Sequence, residues 1–232
     1  MKFLSDRLHE QQVSLLYPDD YRPYAPDDMR QAIAPAPSLV IRALARGPLY
    51  RMASLVQRVL EKRWPDRLGT ELRIVYRAPQ PGFQLLDFGC GSPSFLNEAR
   101  QGGWQTIGAD FNLQVVDAVR AAGHQGEVVD DAFWPRFPDS SVHRVRMNHV
   151  LEHLYDPLRT LTEIRRVLHP DGILHIAVPN PASFGSWIFR SRWFDLDCPR
   201  HVVFFSPKHL CTLLREVGWE EVHLVHQLET RV

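Results

Sequence analysis

The sequence predicts an α/β protein: a mostly parallel sheet with helices packed on both faces. Two observations carry this expectation. From residue 83 onward, short apolar runs of strand type alternate with segments of helical period, the pattern of a parallel sheet with crossover helices. The first of these runs, "FQLLDF", ends in an acid and a glycine-bearing bend, Gly89-Cys90-Gly91, before a helical segment begins.

The elements follow in order. "FQLLDF" (83–88) reads as a buried strand, and 94–102 as a helix closed by Gly102-Gly103. "WQTIGAD" is a second strand, and 112–122 a second helix ending at Gly123. "GEVVDD" is a third strand. "HRVRMNHV" is a fourth, followed by a helix over about 157–168. "GILHIAVPN" is a fifth. A long aromatic stretch comes next, then a helix at 207–217 and a sixth strand, "WEEVHLVH".

The first 80 residues read differently. Residues 17–37 are rich in Pro, Tyr and Asp, which favours an extended or turned path. Met52, Leu55, Val56, Val59 and Leu60 then recur at helical spacing, with Ser38 as a cap and Trp64-Pro65 as a stop. The expected organisation is a Tyr/Pro-rich and helical N-terminal extension over 1–80, acting as a lid. A ligand-binding domain follows over 81–232, with a second lid at about 180–205.

Composition narrows the class. The chain has 232 residues, 44% of them hydrophobic, and a formal net charge of zero. No overall field draws it to nucleic acid or to an acidic membrane. Its three cysteines, Cys90, Cys198 and Cys211, are far apart and suggest neither a disulfide framework nor a metal-ligand pair. "MKFLSDRLHEQQ" turns polar too early for a secretory signal, and no apolar run approaches the roughly 20 residues needed to span a bilayer. A cytoplasmic protein without stable membrane insertion is expected, as a monomer or homodimer.

In an open parallel sheet, ligands bind beyond the carboxyl ends of the strands, near the point where strand order reverses. Gly89 and Gly91 permit backbone angles closed to other residues, and the helix start behind them offers N–H groups to an anion. Two cofactor classes compete. A dinucleotide site wants G-x-G-x-x-G/A, but the last position here is Ser94. Asp87, two residues before the first glycine, suits the ammonium of S-adenosylmethionine better than a pyrophosphate. Asp110, at the end of the second strand, is placed to take both ribose hydroxyls. Asp131 and the backbone of Ala132 are placed for the adenine edge, with Asp130 as a rival.

"LLDFGCGSPSFL", "GADFN", "DDAFWPRFPDSSVHRV", "NHVLEHLYDP" and "VLHPDGILHIAVPN" together resemble the successive motifs of class I S-adenosylmethionine-dependent methyltransferases. The subgroup resembled is the methyltransferase domain family 23 type, related to ubiquinone-pathway O-methyltransferases. "CPRHVVFFSPKHL" and "YPDDYRPY" are similar to further segments of that subgroup. The resemblance covers about residues 80–226. It implies a Rossmann-like sheet and S-adenosyl-L-methionine as cofactor. It also implies a cofactor site of Asp87, Gly89, Gly91, Asp110, Phe111, Asp131, Ala132 and Asn148.

The chain departs from that pattern in places. Pro93 stands where the third glycine is usual, His143 where an Asp is usual, and only "QLETRV" follows the sixth strand where a seventh is usual, which leaves a six-stranded sheet or a naturally truncated C-terminus as the alternatives. Some relatives carry a cysteine-rich zinc segment. This chain has none, and no metal is expected.

The function expected is methyl transfer to a small molecule, with O-methylation of a metabolite, cofactor precursor or glycan in first place. A hydroxyl acceptor calls for a base, and histidine is the common choice near neutral pH. His201, His149 and His153 are the candidates, with His201 slightly ahead. Glu152 either contacts the cofactor or braces its loop. Acceptor contacts are expected from Tyr21, Trp187, Trp193 and Arg200, and nucleic acid is disfavoured as an acceptor. A catalytically silent methyltransferase-like binding module and an NAD-dependent oxidoreductase are the alternatives.

Overall fold

The structure is a computed structural model and describes residues 2–3, 78 and 80–224. The expected N-terminal helix, and Tyr17, Tyr21 and Tyr24, lie outside the described residues.

The described strands are β1 (Lys2–Phe3), β2 (Gln84–Phe88), β3 (Gln105–Asp110), β4 (Gln125–Val128), β5 (Val142–Asn148), β6 (Leu168–Ala177) and β7 (Val203–Phe204). The helices are α1 (Ser94–Gln101), α2 (Leu113–Ala121), α3 (Pro157–Val167), α4 (Phe184–Phe189) and α5 (Pro207–Val217). Five strands form one sheet in the order β4-β3-β2-β5-β6, with every neighbouring pair parallel. The chain runs outward through β2, β3 and β4, then returns to lay β5 beside β2. Strand order therefore reverses between β2 and β5, and the cleft above their carboxyl ends is the place for a ligand.

Each face of the sheet has its own core. Leu85, on one face, packs with Leu96 and Ala99 of α1 and Val115 and Val119 of α2. Leu86, Phe88, Val145 and Met147, on the other, pack with Leu161 and Ile164 of α3 and Leu210 and Leu213 of α5. A fully buried Leu or Val contributes about 1.5–3 kcal/mol, so these two layers fix the positions of the strand ends.

The helix starts obey local chemistry. The side chains of Asn112, Asp156 and Ser206 each accept from a backbone N–H in the first turn, and Pro157 and Pro207 occupy first helical positions. α1 starts differently. Pro93 is already helical (φ −75°, ψ −5°), no side chain caps the helix, and the Pro93 carbonyl accepts from Asn97 N–H at 2.9 Å. The proline leaves the helix start intact, because the N–H it lacks has no intrahelical partner there.

The sixth strand is a correction. Residues 219–224 form no strand, and the remainder of "WEEVHLVH" lies outside the described residues. Trp219 and Val222 pack against the core instead, and Glu220 and Glu221 stay near solvent. An alternating pattern makes a strand only where it pairs with a neighbouring edge, and residues 219–224 pair with none among the described residues. Two boundaries also move: β4 stops at Val128, and β6 begins at Leu168, directly off α3.

His143 has a structural place. Its Nδ1 accepts from Gln84 N–H at 3.3 Å, and its ring stacks on Phe83 with centroids 3.8 Å apart. The imidazole thus ties β5 to the start of β2.

Candidate active site

The loop after β2 is held by its backbone. Gly89 has φ +73° and Gly91 φ +62°, both in the left-handed region. A Cβ on Gly89 would lie 2.5 Å from Val150 Cγ2, so a side chain there is excluded by space as well as by angle. Gly89 and Cys90 N–H groups donate to the Ala109 carbonyl at 2.8 and 3.1 Å. Gly91 N–H donates to Asp110 Oδ2 at 3.0 Å.

Asp110 ends β3 and is 3% exposed. Its Oδ1 accepts from Asn112 N–H at 3.0 Å, so one carboxylate joins the glycine loop to the start of α2. Burial pushes its carboxyl above the ordinary value, and the N–H groups of Asn112 and Gly91 oppose that. A carboxylate has about four acceptor positions. These two contacts leave capacity for ribose hydroxyls. Phe111, the next residue, is 46% exposed beside the cleft.

Beyond β4, Asp130 is engaged. Arg136 Nη2 donates to both of its oxygens at 2.7 Å, and Ala132 N–H donates to Oδ1 at 3.1 Å. Asp131 and Ala132 are exposed. Asp87 is fully buried and faces β5, where Arg146 Nη1 lies 2.8 and 3.1 Å from its two oxygens. Burial pushes the Asp87 carboxyl up, and Arg146 acts against that. The sequence reading did not single out Arg146. Its role depends on the register that sets it opposite Asp87.

The turn after β5 joins backbone hydrogen bonds to a cluster of acidic and imidazole side chains. Asn148 closes the strand and is half-buried. His149 follows in the left-handed region (φ +56°), an uncommon conformation for a residue with a side chain, and its N–H donates to the Ala177 carbonyl at 2.9 Å. Its Nδ1 lies 3.3 Å from Glu152 Oε1. Glu152 is 1% exposed, and among the described residues neither of its oxygens accepts a hydrogen bond.

His201 Nε2 approaches the same Oε1 at 3.9 Å, while its Nδ1 donates to the Asp195 carbonyl at 2.7 Å. His153 Nδ1 donates to the Arg200 carbonyl at 3.0 Å, and its ring meets His201 edge-on with centroids 4.7 Å apart. Burial pushes the His153 imidazole below its ordinary value, and the Glu152 charge opposes that. Glu152, His153 and His201 could also hold a cation, since their ligand atoms lie within 4.8 Å of one another.

The expected lid is partly ordered into α4 and two short turns. Trp187 is 68% exposed, Trp193 is half-buried near Gly185, and Arg200 Nη1 pairs with Asp197 at 3.0 Å. The lid is rooted at the His cluster, because Val202 N–H donates to the Glu152 carbonyl at 2.9 Å. β1 pairs antiparallel with β7, so the chain's second and third residues lie against that root.

Sheet order, the glycine loop on β2 and the acid on β3 define a Rossmann-like site for a nucleoside-bearing cofactor, and the relatives below make it that of an S-adenosylmethionine-dependent methyltransferase. Comparison with known proteins agrees. A methyltransferase-domain family model matches residues 44–224, and the chain belongs to that family. It is 29% identical over 170 residues to a ubiquinone biosynthesis O-methyltransferase of Cereibacter sphaeroides, covering 68% of this chain and 69% of that protein. It is 27% identical over 183 residues to a demethylmenaquinone methyltransferase of Roseiflexus castenholzii, covering 68% and 76%. Among solved structures it is similar to a SAM-dependent methyltransferase from Archaeoglobus fulgidus, with TM-score 0.52, 26% identity and coverage of 69% and 68%. The cofactor class is thereby S-adenosyl-L-methionine and not a dinucleotide. No helix among the described residues is long and apolar enough to cross a membrane.

Proposed function

We propose that the protein methylates a hydroxyl group of a small molecule, with His149 as the base. The observation that carries the reading is the placement of His149. It stands at the carboxyl end of β5, at the strand-order reversal, with Nδ1 toward a buried carboxylate and its side chain 29% exposed. His201 is the weaker candidate: its Nδ1 is engaged by Asp195, Nε2 is directed toward Glu152, and it is 6% exposed. His153 is engaged at the lid root.

The chemistry is an in-line displacement. The acceptor oxygen attacks the methyl carbon, the carbon–sulfur bond breaks, and its electron pair returns to sulfur to give S-adenosylhomocysteine. The hydroxyl proton passes to His149, and the Glu152 charge stabilises the imidazolium that forms. Alignment of oxygen and methyl supplies much of the rate. Asp110 takes the ribose, Phe111, Asp131 and Ala132 line the adenine end, and Asn148 stands beside the methyl group. Trp187 and Trp193 wall the acceptor, Arg200 orients it, and Tyr21 closes over it. The name of one relative, a ubiquinone biosynthesis O-methyltransferase, favours a hydroxyl acceptor. The reading places the enzyme in the cytoplasm, as a monomer or homodimer, and uses no metal.

The test is turnover on a panel of phenols and hydroxylated metabolites, with and without a chelator. His149→Ala should lower kcat by about 10²-fold or more while cofactor affinity stays the same. Equal losses in both would remove His149 as the base. Loss of turnover on chelation would assign the Glu152 cluster to a cation. Tight cofactor binding without turnover on any acceptor would favour the silent binding module.

A further inference from the structure

We infer that Arg146 takes the carboxylate of the cofactor's amino-acid end, and that Asp87 is the counter-ion that aims it. This rests on the cofactor placement above and assigns a contact that the glycine loop does not supply.

The sheet register places Asp87 opposite Arg146, at the strand-order reversal. Asp87 is completely buried, and both of its oxygens meet Arg146 Nη1. The pair is neutral as it stands. A ligand ammonium coming to Asp87 would have to approach a carboxylate already matched by a guanidinium, and would meet that cation at close range. Asp87 is therefore a poor seat for the ammonium.

The guanidinium carbon lies 4.0 Å from the ring centroid of Phe95, and Phe95 belongs to the first turn of α1. A fixed cation thus stands at a helix N-terminus that no side chain caps. The helix end and the guanidinium carry the same sign and both favour an anion between them. Arginine presents its donors as a planar fork that matches a carboxylate. The Arg146 side chain is 18% exposed, largely dry yet still reached by solvent. His175, next to Arg146 in register on β6, is held below its ordinary value by burial and by the Arg146 charge, which keeps the local positive charge on the guanidinium.

The experiment compares S-adenosylhomocysteine with its decarboxylated analogue, which keeps the ammonium, by calorimetry. The proteins are the full chain, Asp87→Asn, and the double variant Asp87→Asn/Arg146→Met. The double variant keeps the buried pair neutral, so it avoids the unpaired charge that Arg146→Met alone would leave. The double variant should bind S-adenosylhomocysteine at least about tenfold more weakly, the scale of one charge-assisted pair. Its affinity for the decarboxylated analogue should stay within about twofold, which also shows that the variant is folded. Asp87→Asn alone, which removes the aiming counter-ion, should shift the affinity for S-adenosylhomocysteine and leave that for the decarboxylated analogue within about twofold. Parallel losses for the two ligands, or no loss, would overturn the assignment. A loss in Asp87→Asn that is equal for the two ligands, which share the ammonium, would return Asp87 to direct contact with it. If the unaltered chain bound neither ligand, the cofactor placement itself would fall, a result distinct from failure of the Arg146 assignment.

Discussion

The two sides of the cleft treat their buried carboxylates in opposite ways. On the proposed cofactor side, the loop after β2 is pinned by backbone N–H groups to Ala109 and Asp110, and the two buried carboxylates beside it, Asp110 and Asp87, are matched. On the proposed acceptor side, the turn after β5 is also tied by backbone N–H groups, those of His149 and His153, but it encloses Glu152, a buried carboxylate whose oxygens accept no hydrogen bond among the described residues. Buried charge without hydrogen bonds is costly, and such groups concentrate where chemistry is done. The Glu152 half, tied to the lid through Val202, Arg200 and His201, depends on how that lid is seated.

The sharpest way to break the cofactor side is Gly89→Ala. The new methyl would overlap Val150, and the left-handed backbone adds strain of about 1–3 kcal/mol. Cofactor binding should fall by about 10²-fold or more, with a lower Tm. Calorimetry and thermal melting check both, and wild-type affinity would show that the loop is not preformed.

A smaller effect separates the site from the scaffold. Burial, followed by the neighbouring charges of His169 and Arg144, pushes the His143 imidazole below its ordinary 6.5. The folded protein therefore prefers it neutral, and above that value neither folded nor unfolded chain holds the proton. As pH falls below 6.5, the unfolded chain takes up the proton first, so stability declines toward acid. In His143→Phe the acid-side slope of Tm against pH should flatten, with cofactor affinity unchanged. An identical slope would remove His143 from the account.

The same contrast explains what the sequence discloses. Period and punctuation located β2, β3, β5 and every helix from α1 to α3, because these elements bury one clear face. The glycine bend and Asp110 were legible because backbone-built sites need particular residues at fixed spacing. The Asp87–Arg146 pair was not, since it follows from which strand returns beside β2. Nor was the meeting of Glu152 with His201, which depends on the path of the lid. The sixth strand failed because alternation records a half-buried segment and says nothing of a partner edge.

The most direct test of the account measures S-adenosylhomocysteine affinity in two variants side by side. Asp110→Ala should weaken binding at least tenfold, about 1.4 kcal/mol, whereas His149→Ala should leave it unchanged. Equal affinities in the two, or a loss confined to His149→Ala, would contradict the division of the cleft.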